Sequence, residues 1–199
     1  MTGFPVGYKL TLMAWLVVLL AYFIGAVPTA YIAGRLVARR DIRRMGDANM
    51  GAANAFRELG AKIGLAVFFI DATKGALVVL LAQLVNLPQV GVLITGLAAV
   101  AGHNWPVFLG FRGGRGESTT IGILLVLVTL PILITAVPAL IVLYFKKNVT
   151  LASAVLFVPL SLLGWWFHLP GMIIAYSIGL PCLVGLTHFL RTRKQVIPG

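Results

Sequence analysis

Three short segments of this chain carry the residue types from which a phosphate-handling site is built. The first is Met45-Gly46-Asp47-Ala48-Asn49-Met50-Gly51-Ala52-Ala53-Asn54-Ala55-Phe56-Arg57. Small residues and asparagines leave backbone N–H groups exposed near a helix start, a natural cradle for an anion, and Arg57 adds a charge-assisted donor. Asn49, Gly51 and Asn54 are its candidate binding residues. The second segment joins Gly102-His103-Asn104-Trp105-Pro106 to Phe111-Arg112-Gly113-Gly114-Arg115-Gly116. Gly113 and Gly114 admit a ligand close to the backbone, Arg112 and Arg115 offer forked donors suited to phosphate, and His103 adds a polar side chain. The third is Val149-Thr150-Leu151-Ala152-Ser153, after Lys146-Lys147, together with Thr187-His188. Each segment also has a plainer reading: a flexible basic loop, a positive turn, hydroxyls bonded back to helical carbonyls.

These segments lie between runs that water does not suit. Hydrophobic residues make up 60% of the chain and charged residues 11%, against about 45–50% and about 25% in a soluble domain. Apolar runs fall at 10–34, 63–85, 90–109, 119–145, 149–167 and 171–190, the first being read as a retained span. The run at 119–145 contains Pro131 and Pro138, so it is either one kinked helix or two short ones turning near Leu130 and Pro131. Charge separates the two. With two helices, every lysine and arginine except Lys9 and Lys74 falls in segments on one side: 35–62, 110–118, 146–148 and 191–199. The positive-inside rule therefore favours seven transmembrane helices in one all-α integral membrane domain spanning 1–199, N-terminus outside and C-terminus cytoplasmic. It also accounts for the net charge of +11 through anionic lipid rather than nucleic acid. The single cysteine, Cys182, excludes an intramolecular disulfide and a cysteine-rich metal site. Asp71 and Lys74, three apart on one helical face, are expected to form a buried structural ion pair.

Along nearly its whole length the chain resembles the PlsY family, bacterial membrane enzymes that make lysophosphatidic acid from acyl phosphate and glycerol 3-phosphate. The likeness rests on Pro28, Asp41-Ile42-Arg43, the run from Gly46 to Asn54 with Arg57, Gly102-His103, Pro106-Val107-Phe108, the run from Phe111 to Thr119, Thr150-Leu151-Ala152-Ser153 and, in part, His188. It implies a seven-helix protein of the bacterial cytoplasmic membrane with its active site at the cytoplasmic interface and no metal or organic cofactor. It further implies direct acyl transfer, with Arg57, Ser153 and His188 as catalytic residues and Arg57, Arg115, Ser153 and His188 holding the phosphates.

The departures fall on phosphate-facing positions. The family's serine in the first motif is Asp47 here, its threonine is Ala53, the closing asparagine is Arg191, and Glu117 replaces an apolar residue. A carboxylate ~4 Å from a phosphate at an effective dielectric of ~20 costs on the order of 4 kcal/mol before screening. The expected escape is an ion pair from Asp47 to Arg57, Arg115 or Arg191. Two further readings follow from these changes. One is a non-catalytic relative serving as a transmembrane subunit or scaffold among other membrane subunits; the other is a transporter or channel suggested by Asp71, Lys74 and the proline-interrupted fourth run.

Overall fold

The computed structural model describes the backbone of residues 6–196 and the side chains of residues 12–191, so the side chains of Lys9, Arg193 and Lys194 lie outside the described residues. Ten α-helices and no strand occur among the described residues: α1 (Val6–Ala26), α2 (Thr29–Leu36), α3 (Ala52–Leu59), α4 (Ala61–Leu84), α5 (Gln89–Asn104), α6 (Glu117–Leu127), α7 (Thr129–Lys146), α8 (Val149–Phe157), α9 (Leu160–Trp166) and α10 (Gly171–Val196). The all-helical expectation holds. Six segments are long and apolar enough to cross a bilayer: Leu12–Leu36, Ala61–Leu84, Gln89–Leu109, Thr129–Lys146, Val149–Trp166 and Gly171–Arg191.

The helices break where proline removes a backbone donor. The first run, expected as one span, divides at Val27 and Pro28; the fifth divides at Val158 and Pro159. The run at 119–145 is two helices, but the break falls at Val128 (φ −136°, ψ 54°), ahead of the turn expected near Leu130 and Pro131. Pro131 instead occupies the first turn of α7, where a missing N–H costs no helical hydrogen bond. At 11 residues, α6 rises roughly 16 Å, about half of a ~30 Å hydrocarbon core.

The chain forms two compact units, one running to Ile123 and the other starting at Leu124. In the first, α5 packs against α1 and α4, and α2 and α3 pack against α4. Backbones of α1 and α5 approach closely: a Cβ on Gly25 would strike the Ala99 carbonyl, and one on Gly102 the Tyr22 carbonyl. Small residues supply such contacts in bilayers, where dispersion rather than water drives helix association. Val67, Val78, Val79 and Val100 are fully buried, while Leu16, Leu19, Phe69 and Leu80 face outward, as hydrocarbon solvent permits. A separate cluster of Ala30, Ile42, Met50, Ala55 and Val67 fastens the first polar loop and α3 to the helices beneath.

In the second unit α7 packs on α8 and α9, and α10 packs on α8 and α9. Lys147 turns the chain in the left-handed region, and Asn148 caps α8 by accepting from the Leu151 N–H at 2.9 Å. That cap orients the segment leading to Ser153.

Candidate active site

The first polar segment does not run directly into the second span. It closes on itself and then forms α3, a separate helix starting after Gly51 and ending at Gly60 (φ 97°). Asn54 is fully buried, and its Nδ2 donates to the carbonyls of Met45 and Asn49, both at 3.0 Å. One amide group thereby ties together the two ends of the turn Met45–Asn49. Inside that turn Gly46 and Ala48 both adopt positive φ, 53° and 51°, and the Asp47 carboxylate is presented between them. Asn54, named above as a binding residue, spends its donor on shaping the loop.

The glycine turn is anchored just as directly. The N–H groups of Gly113 and Gly114 donate to the carbonyls of Asn104 and His103, at 3.1 and 3.0 Å. A Cβ at Gly113 would meet the His103 carbonyl, and one at Gly114 the His103 imidazole. These two positions therefore require glycine because the turn lies flat on the end of α5. His103, Gly113 and Gly114 line one small cleft with Pro28, Thr29 and Met50, while Arg112 is exposed.

The two segments meet at Asp47. Its Oδ2 lies 3.3 Å from Arg57 Nη2 and 3.1 Å from Arg115 Nη1. Two of the arginines expected to neutralise it, Arg57 and Arg115, do so. Two guanidiniums converging on one oxygen form an arrangement that also suits a phosphoryl oxygen.

Beneath the cleft sits the expected Asp71 and Lys74 pair, with Lys74 Nζ 2.7 Å from Asp71 Oδ1 and both side chains buried. Sequence reasoning missed its other members. Thr29 donates to Asp71 Oδ1 at 2.8 Å, and Lys74 donates to the Val27 carbonyl at 2.6 Å and to Thr29 Oγ1. His103 Nδ1 stands 3.9 Å from the same Asp71 oxygen. A charge pair that would be costly alone is thus compensated by the carbonyl of Val27, which the break between α1 and α2 leaves open to Lys74 as well as to the Thr29 N–H.

Asp41, read above only as part of a motif, organises the start of the loop. It caps the 3-10 turn Ile42–Arg44 and receives Arg43 Nε at 3.0 Å, with Arg43 Nη2 and Arg35 Nη2 each at 2.8 Å. The Arg43 hydrogen bonds hold its carboxyl well below the usual carboxylate range. Both guanidiniums also lie over the Tyr31 ring.

Ser153 and His188 are in the second unit, on α8 and α10. The Ser153 hydroxyl donates to the Val149 carbonyl at 2.8 Å and Thr187 to Val184 at 2.8 Å, the back-bonding expected of hydroxyls in apolar helices. His188 is half-buried.

Comparison with known proteins meets this geometry from the other side. The family model described as glycerol-3-phosphate acyltransferase matches residues 15–196. A protein of Dehalococcoides mccartyi named glycerol-3-phosphate acyltransferase 4 is 56% identical, over 92% of this chain and 99% of its own. One of Moorella thermoacetica named glycerol-3-phosphate acyltransferase 2 is 43% identical, over 78% and 80%. The crystal structure of PlsY, an integral membrane glycerol 3-phosphate acyltransferase, in its glycerol 3-phosphate form superposes with a TM-score of 0.82 at 30% identity, covering 92% of each chain. In sequence, helical fold and multi-pass membrane character, the chain belongs to the glycerol-3-phosphate acyltransferase family.

Proposed function

We propose that this protein transfers an acyl group from acyl phosphate to glycerol 3-phosphate, forming lysophosphatidic acid for phospholipid synthesis. The observation that carries the reading is the convergence of Arg57 and Arg115 on one anionic oxygen, in a chain of this family. A phosphate in that place would be held by two forked donors. The glycerol hydroxyl oxygen bonds to the acyl carbon, the bond from that carbon to the phosphate oxygen breaks, and the hydroxyl proton leaves with inorganic phosphate. The acyl group is already activated, so positioning and electrostatics are the protein's contribution.

In this reading Arg57, Ser153 and His188 act on the reacting groups, and Asn49, Gly51, Asn54, His103, Arg112, Gly113, Gly114 and Arg115 shape or bind the phosphate site. The acyl chain lies between helices at the bilayer side. Seven crossings with α6 as the short one, a cytoplasmic C-terminus and a single membrane domain complete the proposal. Support for one domain comes from the family match, which runs through both units.

One observation favours a second reading. Asp47 occupies both arginines, as expected of a non-catalytic membrane subunit that has given up phosphate binding. The relatives' shared name weighs toward the enzyme, and one assay separates the two. Protein purified in mild detergent is supplied with acyl phosphate and glycerol 3-phosphate. Lysophosphatidic acid is expected from the natural sequence and not from Arg57→Ala; a folded preparation without product overturns the acyltransferase reading.

A further inference from the structure

We propose that Asp47 is a tethered counter-anion of the phosphate site, which holds Arg57 and Arg115 until a phosphate displaces it and which returns when that phosphate leaves. The inference rests on the acyltransferase reading and adds a device set by this residue. Three features support it.

The pairing is loose. Asp47 Oδ2 is shared between two guanidiniums at 3.1 and 3.3 Å, and the side chains of Asp47 and Arg57 are 28% and 48% exposed. Solvent reaches both, so a soluble anion reaches them too.

The loop that carries Asp47 is also held by another side chain. Asp47 Oδ1 accepts from the Asn49 N–H at 3.4 Å, and Asn54 fastens the turn on either side of it through Met45 and Asn49. The carboxylate can rotate away while the turn stays in place.

The exchange favours the incoming group without making it permanent. A phosphate dianion offers more acceptor oxygens and more charge than a single carboxylate oxygen, so it wins the arginines when present at working concentration. Tethering gives Asp47 a high effective concentration at the same donors, so it competes with every phosphate that enters. Inorganic phosphate, the by-product of acyl transfer, is held less tightly than a bare arginine pair would hold it. Asp47 thereby limits product inhibition at a cost in substrate affinity.

The test uses the full chain in detergent with inorganic phosphate as the probe, read both by calorimetric titration and as an inhibitor of turnover. Asp47→Asn and Asp47→Ser are each expected to bind phosphate about tenfold more tightly than the natural protein. The double variant Asp47→Asn with Arg57→Ala is expected to lose that gain. Because a damaged fold does not create affinity, a gain identifies the carboxylate as a competitor. The substrate against which phosphate competes, acyl phosphate or glycerol 3-phosphate, identifies whose phosphate uses the arginines. Phosphate affinity that is unchanged or weakened in both single variants overturns the proposal and makes Asp47 an organiser of the arginines. Turnover by none of the folded proteins sinks the acyltransferase reading instead, and the calorimetric titration still decides the role of Asp47.

Discussion

Asp41 and Asp47 lie in the same polar loop, and each bridges two arginines, yet they do different work. Asp41 uses both oxygens, takes hydrogen bonds at 2.8 to 3.1 Å from Arg35 and from the backbone and side chain of Arg43, and is 9% exposed. All its partners are close in sequence, and the guanidiniums are packed on Tyr31. Asp47 meets its arginines at 3.1 and 3.3 Å, is itself 28% exposed, and one of those arginines, Arg115, arrives from a different loop. A carboxylate enclosed by its own segment is a fastening of the fold. A carboxylate that is itself partly solvated, and borrows an arginine from another loop, sits at a site that another anion can take.

The contrast is sharpest in activity. Arg115→Ala is expected to lower kcat/KM for acyl transfer about a hundredfold by removing charge-assisted phosphate bonds, whereas Arg43→Ala leaves it within a few-fold of the natural value. Comparable losses in steady-state turnover would erase the distinction between the two clusters.

Stability should show the reverse order. Asp41→Asn keeps a capping oxygen but removes two ion pairs, worth about 1 kcal/mol after solvent screening, and lowers Tm in detergent by about 2–4 °C. Asp47→Asn is expected to move Tm by less than about 1 °C, since Asn54 holds the turn without it. A larger drop for Asp47→Asn than for Asp41→Asn, in thermal unfolding at neutral pH, would mean that Asp47 is a fastening too.

The smallest effect is in acid. The folded-state pKa of Asp41 is depressed, so its contribution is fully present above the unfolded value of ~3.9 and is lost progressively as pH falls through the lowered one. Tm measured from pH 6 down to pH 3 should fall slightly more steeply in the natural protein than in Asp41→Asn. Parallel curves would show that the Arg43 hydrogen bonds do not couple Asp41 to folding.

Part of the site was readable in the chain. The glycine turn, both arginines and the Asp71 and Lys74 pair follow from residue type and short spacing, and Asp47 was expected to find an arginine among three. The roles of Asn54 and Thr29 were not readable. Nothing in the residues around Asn54 says that its amide turns inward to two carbonyls of its own loop, and Thr29 reaches Asp71 only because the chain breaks at Pro28. Proline content announced breaks in the apolar runs, but the break came at Val128 rather than at Pro131, because the missing N–H and the ring of a proline act on the carbonyl four residues before it, here Leu127.

The sequence by itself determined the solvent, the all-helical class and the ancestry. Hydrophobicity and helix length are sums over neighbouring residues, and a family motif is a matter of order along the chain. Only the tertiary structure decided which arginines face Asp47, which polar groups are consumed in holding the loops, and which carbonyl the buried lysine meets. Those pairings join residues far apart in the chain, and a hydrogen bond depends on ångström-scale placement that spacing along the chain does not carry.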